Sequence, residues 1–508
     1  MGSACSRKRG QLADEDVLYS ARFSKSGSFK WLLHTLPRSS SDVQRKAQGP
    51  VPGRRPSLVE LCVAKVREDM SRYSDFSLLP RDLSQQIFNE LVESSCLTEE
   101  SLVAFRDCAL QDICLGDYPG VTDAWMEVVA SQGQSLLSVD ISCSDVTDSG
   151  LNLLKDCSSM QSLSCNFCDQ ISEHGLETLS GFSNLTSLSI KKCAAVSAEG
   201  AKAFANLVNL VNLDLERCPK IHGGLVHLKG LKKLETLNMR YCNCITDSDM
   251  KYLSGLSKLA HLNLEGCTIT AACLGVISGL PSLVLLNLSR CGIRDEGCEK
   301  MKDMINLECL NLDSCKIGDE GLVHLKGLLQ LKSLELSDTE VGSTGLRILS
   351  GLRNLQSMNL SFTLVTDISL KKISGLSSLK SLNLDNRQIT DNGLAALTNF
   401  KNLRSLELCG GFITDTGVKN IKDLKALTLL NLSQNGNLTD KTLELISGLT
   451  ALVSLNVSNS RVSNLGLRHL EPLQNLRSLT LESCRVTATE IKKLQLAALP
   501  NLVSVRPE

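Results

Sequence analysis

From Leu136 onward the apolar positions of this chain fall into one recurring phrase. The copy starting at Leu307 reads LECLNLDSCKIGDEGLVHLKGL, and the next, from Leu331, reads LKSLELSDTEVGSTGLRILSGL. Fifteen copies align at Leu136, Met160, Leu185, Leu210, Leu234, Leu259, Leu283, Leu307, Leu331, Leu355, Leu379, Leu403, Leu427, Leu452 and Leu476, and a partial copy runs from Leu502 to Val505. Every interval is 24 or 25 residues. The L-x-L part alternates with period two, as a short strand with one buried face does. The later G-L-x-x-L-x-x-L part has the three- and four-residue spacing of a helix packed on the outside. Between them stand Thr-Asp pairs such as Thr147-Asp148, Thr246-Asp247, Thr366-Asp367 and Thr390-Asp391, whose side-chain oxygens suit helix caps. One repeat cannot bury its own leucines, so neighbours must stack. The pattern predicts an α/β solenoid with parallel strands inside, helices outside, an N-terminal helical cap and a disordered tail. Such arrays bind other macromolecules far more often than they catalyse.

The phrase resembles leucine-rich repeats, specifically the cysteine-containing kind common in F-box and related ubiquitin-ligase receptors, over residues 136 to 505. Of the 21 cysteines, eight (Cys168, Cys193, Cys218, Cys242, Cys267, Cys291, Cys315 and Cys484) share one slot after the strand. Thr339, Thr363 and Asn435 fill that slot in other copies, so it asks for a small buried residue able to make a weak hydrogen bond. Neither a disulfide framework nor a zinc site is expected, and a reduced intracellular setting is implied. No cofactor or metal ligand set emerges.

The charge balance is near zero overall but uneven, with eleven basic residues against four acidic ones in residues 1–56. The opening MGSACSRKRG fits a myristoylation pattern at Gly2, with Cys5 placed for a palmitoyl chain and Arg7-Lys8-Arg9 following. Two acyl signals and a basic cluster together would hold the chain on an anionic membrane. The expected location is cytoplasmic, peripheral to the plasma membrane or an endomembrane. Residues 1–56 read as a disordered basic tail.

Residues 57–135 read as helices: SLVELCVAKVREDMSRY, then RDLSQQIFNELV after Pro80, then EESLVAFRDCALQDI. A cap for the solenoid's open end is the plain expectation. Two resemblances suggest a second task. LPRDLSQQIFNEL, from Leu79, resembles the opening of an F-box, which implies a Skp-type adaptor. Ser57-Leu58-x-x-x-Cys62-x-x-x-Val66 is similar to an elongin-binding box, and Leu79-Pro80-x-x-Leu83-x-x-x-Ile87 to the cullin-selecting box that follows it in von Hippel-Lindau-type receptors. Both imply the substrate-recognition subunit of a cullin-RING ubiquitin ligase, with Leu58, Cys62, Val66, Leu79, Pro80, Leu83 and Ile87 on the adaptor. The other reading is a membrane-anchored scaffold for signalling or immunity in which this segment is only a cap.

At the strand ends, on the side expected to be concave, Phe167, Lys191, Lys192, Arg217, Arg240, Tyr241 and Arg290 form a basic-aromatic stripe suited to a protein substrate or acidic peptide, interrupted by Glu216 and Glu265. A recurrent asparagine (Asn238, Asn263, Asn287, Asn311 and later copies) is expected to form a ladder along the sheet. Nucleic acid is not expected as a partner, because the region is net acidic and poor in aromatics. The seven histidines are scattered, and the chain has no H-E-x-x-H, P-loop or nucleophile elbow. No catalytic residue is assigned.

Overall fold

The computed structural model describes residues 56–385 and 388–506. The tail, with Gly2 and Cys5, lies outside the described residues. The described residues divide into two compact units, one holding residues 56–331 with 338–341, the other 332–337 with 342 onward.

In the first unit the strands are β1 (Asp112–Cys114), β2 (Ser138–Asp140), β3 (Ser162–Ser164), β4 (Ser187–Ser189), β5 (Asn212–Asp214), β6 (Thr236–Asn238), β7 (His261–Asn263), β8 (Leu285–Asn287) and β9 (Cys309–Asn311). Each pairs in parallel with the next, so that Val139, Leu163, Leu188, Leu213, Leu237, Leu262, Leu286 and Leu310 stand in one buried row. In the second unit β10 (Ser333–Glu335), β11 (Ser357–Asn359), β12 (Ser381–Asn383), β13 (Ser405–Glu407), β14 (Leu429–Asn431), β15 (Ser454–Asn456), β16 (Ser478–Thr480) and β17 (Ser504–Arg506) pair the same way. This is the predicted solenoid. Its helices are short, mostly one turn such as Asp391–Leu394, often running on as 3₁₀.

The cysteine slot works as expected. Cys218, Cys242, Cys267, Cys291 and Cys315 donate Sγ–H to the carbonyls of Ile190, Leu215, Met239, Leu264 and Leu288, in the preceding repeat, at 3.0–3.2 Å. Asn435 donates to Leu408 O in the same way at 2.8 Å. Burial pushes the Cys315 thiol up to about 12, so these are structural thiols rather than nucleophiles.

Thr-Asp does more than cap. Thr390 Oγ1 accepts from the Asn392 N–H at 3.3 Å, as a cap should. The aspartate instead reaches into the next repeat: Asp367 accepts from Thr390 N at 2.8 Å and Thr390 Oγ1 at 2.5 Å. Asp123–Thr147, Asp247–Thr270, Asp391–Thr414 and Asp415–Thr439 repeat the arrangement. The asparagine expectation needs a similar amendment. Asn263 and Asn311 use Oδ1 to accept the backbone N–H two residues ahead, just past their own strands, at 3.1 and 2.9 Å, rather than joining asparagine to asparagine.

The solenoid starts earlier than residue 136. β1 pairs with β2, and Leu110, Ile113, Leu115 and Thr122-Asp123 match the repeat phrase, with Tyr118 in the cysteine slot. A buried tyrosine there hides the signal, because its hydroxyl donates to Leu97 O at 2.7 Å instead of to a neighbouring repeat. The third expected helix accordingly stops short. Its α-helical part ends at Leu102, and left-handed Asp107 and Ala109 turn the chain into β1.

Ahead of β1 lie α1 (Leu58–Glu68), α2 (Arg81–Glu93) and α3 (Glu99–Leu102). α1 begins with a capping box between Ser57 and Glu60. α2 buries Ile87, Phe88 and Leu91, and Phe88 meets Phe105 edge to face at 5.5 Å. Gln85 of α2 accepts from Gln111 N and Asp112 N and donates to Asp112 O at 2.6 Å. One amide side chain thus satisfies the start of the open edge of β1, which an uncovered strand would present to other chains.

Candidate functional site

The residues expected to meet an adaptor divide by exposure. Leu58 is 76 % exposed and Leu79 38 %, while Leu61, Cys62, Leu78 and Pro80 are also on the surface. Val66 and Leu83 are half-buried. Ile87 is 4 % exposed and belongs to the core under α2, so its expected adaptor contact is withdrawn. Of α1 itself only Val63 is buried, so its other apolar residues gain little from the fold. Arg67 ties α1 to α2 through Glu90 at 2.6 Å.

The stripe comes together in the first unit, in two tiers. The inner tier follows the strands, where Lys191, Glu216, Arg240 and Glu265 occupy one column of alternating charge. Lys191 Nζ lies 3.0 Å from Asp214 and 3.5 Å from Glu216. Arg240 lies 3.3 Å from Glu216 and 3.0 Å from Glu265. Burial works against the charge on both cations, but the carboxylates outweigh it and both pKa values are raised. Glu216 and Glu265 therefore complete the stripe instead of interrupting it. The alternation at 24–25-residue intervals was legible in the sequence once the repeats were aligned.

The outer tier is one residue further along. Phe167, Lys192, Arg217, Tyr241 and Arg290 all have positive φ, between 51° and 60°. Cys143, Ser314, Asp338, Phe362, Gln434, Asn459 and Ser483 share the position and the conformation. Left-handed backbone costs about 1–2 kcal/mol for a residue with Cβ. It persists because it carries the strand ladder one step on: Phe167 N donates to Lys191 O, Lys192 N to Glu216 O and Arg217 N to Arg240 O at 2.8–2.9 Å. Here the cations lie beside aromatic rings. Lys192 lies over the Phe167 ring at 5.7 Å, Arg217 over the Tyr241 ring at 5.5 Å, and Arg240 of the inner tier over the same Tyr241 ring at 4.7 Å. Arg217 and Arg290 lie 4.0 Å from Glu216 and Asp313, and Arg290 Nη1 donates to the Tyr241 hydroxyl at 3.5 Å. The outer tier thus sets cations beside aromatic rings along one row.

Gly266 makes room for this arrangement. Its φ is +69°, and a Cβ there would stand 2.3 Å from Tyr241 Cδ1. Gly266→Ala is expected to lower unfolding stability by about 1–3 kcal/mol, measured by denaturant titration. A Tyr241→Ala background should recover the part due to the ring and leave the left-handed backbone's share of about 1 kcal/mol, and no recovery would mean that the ring is not what Gly266 accommodates.

Family models described as leucine rich repeat match residues 401–462 and, in a second form, residues 183–205, 230–254, 279–302, 304–325 and 375–397. The chain is a leucine-rich-repeat protein. None of the curated proteins matches it. Among solved structures it is similar to an internalin (inlF) from Listeria monocytogenes, with 22 % identity, 74 % of this chain and 88 % of that one covered, and a TM-score of 0.38. A leucine-rich-repeat protein of Leptospira interrogans gives 22 % identity, coverage of 70 % and 91 %, and 0.49. A plant peptide hormone receptor, RGFR1 in complex with RGF2, gives 14 %, 80 % of each chain and 0.38. At these identities the likeness concerns the repeat architecture alone.

Proposed function

We propose that this repeat protein is the substrate-recognition subunit of a cullin-RING ubiquitin ligase, docking a Skp-type or elongin-type adaptor through α1 and the Leu78–Pro80 turn. The supporting observation is the division of apolar residues at the N-terminus. Ile87, Phe88 and Leu91 cap the solenoid, while Leu58, Cys62 and Leu79, which carry the adaptor-box resemblance, are left on the surface together with Leu61 and Leu78. A segment serving only as a cap would have no use for that second apolar face. In this reading the outer tier of the stripe receives a protein substrate, and acyl groups at Gly2 and Cys5 hold the complex at a membrane.

The full chain is to be purified from cells by affinity beside a Leu58→Ala, Leu79→Ala variant, with mass spectrometry of the bound proteins. The expected result is a cullin with one of the two adaptors in the wild type, lost in the variant at unchanged circular dichroism. Absence of both adaptors from the wild type overturns the ligase reading in favour of the scaffold.

A further inference from the structure

The second unit carries a groove on the side where its strands begin, about 360 Å³ in volume, lined by Gln356, Ser378, Lys380, Asn402, Arg404 and Ala426. Lys380 and Arg404 are the residues just before the paired Ser381 of β12 and Ser405 of β13, and Arg404 N donates to Lys380 O at 2.7 Å. Their backbones are therefore neighbours in the ladder, roughly 4.8 Å apart. Like charges so placed repel one another. In the first unit the corresponding problem is met by alternating lysine or arginine with glutamate; here no carboxylate does so. Lys380 Nζ bonds only to the neutral Gln356 amide, at 2.9 Å, and the Arg404 guanidinium has no hydrogen bond or ion pair among the described residues. The four residues leading into each strand, 353–356, 377–380, 401–404 and 425–428, include Arg353, Lys401 and Lys425 and no aspartate or glutamate.

We propose that this groove binds a small phosphate-bearing anion. Arg404 offers a planar fork of donors and Lys380 a point charge, the pair that suits phosphate oxygens. Gln356, Ser378 and Asn402 add neutral amide and hydroxyl groups around them, and the volume is that of a small-molecule site rather than of a protein interface. An anion seated between the two cations removes their repulsion, so the free protein is already arranged for it.

The test uses the full chain and sodium pyrophosphate as the probe, by titration calorimetry at constant ionic strength. A Lys380→Gln, Arg404→Gln variant is expected to bind at least about tenfold more weakly at an unchanged melting temperature, whereas Arg217→Gln, Arg290→Gln in the other unit should bind as the wild type does. The basic tail is common to all three proteins, so the difference reads the groove alone. Cosedimentation with phosphatidylcholine vesicles containing a few per cent phosphatidylinositol bisphosphate separates the sources. Groove-dependent sedimentation that pyrophosphate competes away supports a lipid headgroup, and pyrophosphate binding without sedimentation supports a soluble phosphate. No binding by the wild type, equal binding by the groove variant, or citrate binding as tightly as pyrophosphate each overturns the proposal.

Discussion

Gly393→Ala is expected to destabilise the second unit by about 2–4 kcal/mol in denaturant unfolding, in the range of overpacking combined with loss of charged hydrogen bonds. The glycine stands in the helix Asp391–Leu394, where alanine would ordinarily be the better helix former. Its Cβ, however, would lie 2.4 Å from Asp367 Oδ1. To clear it, Asp367 must release Thr390 N and Thr390 Oγ1 together. The decisive comparison is a double-mutant cycle. Asp367→Ala should itself cost about 2 kcal/mol through the two lost bonds, and Gly393→Ala made in that background should cost little or become favourable. Additive effects would show that the glycine serves some purpose other than room for the aspartate. The same contact recurs at Gly175 with Asp148, Gly321 with Asp295 and Gly466 with Asp440, which explains why D-x-G is part of the phrase. The pairing is not strict, since Gly297 faces Ala271, but two repeats that follow one without the aspartate also lack the glycine. Asp249 takes its place and binds Gly223 N and His222, and Ser369 takes it beside Ser343.

The second large effect concerns pH. Asp385 is 5 % exposed, two positions beyond β12, and its carboxylate accepts from Cys409 N at 2.6 Å. Burial pushes its pKa up to about 7 and the charge of Glu407 on β13 adds to this, against the lowering by the Cys409 N–H. The folded value lies above that of the unfolded chain, so folding takes up a proton between about pH 4 and 7. The native state therefore loses stability as pH rises through that window, by on the order of 4 kcal/mol at most above pH 7. Asp385→Asn keeps an oxygen for Cys409 N and removes the charge. It should melt with the wild type near pH 4 and well above it at pH 8. A stabilisation of equal size at both pH values would assign the effect to packing instead of ionisation.

Much of this was readable from the chain. The 24–25-residue period fixes stacked parallel strands, because leucines at that spacing have nowhere to go except against those of the adjoining repeat. The cysteine slot was equally legible, since threonine and asparagine substitute there and all three can bond to a carbonyl of the preceding repeat. Less was visible at the start of the solenoid, where Tyr118 replaces the small residue and one repeat passed for helix. The purposes of Asp367 and Gly393 were hidden for a different reason. They lie 26 residues apart and meet only after stacking, so within one repeat the aspartate looks like a cap and the glycine like a helix breaker.

By itself, then, the sequence determined the repeat, its period, which leucines are core, and the neighbourhood of the stripe, since local alternation and stacking leave one solution for each. The tertiary structure decided which of two amphipathic faces on the N-terminal helices is buried, because the answer depends on what stands opposite. Ile87 has the end of the solenoid against it and Leu58 has solvent. It also decided which cations are neutralised. Lys191 and Arg240 meet glutamates contributed by neighbouring repeats, Lys380 and Arg404 meet none, and only the register between repeats places charges so far apart in the chain side by side.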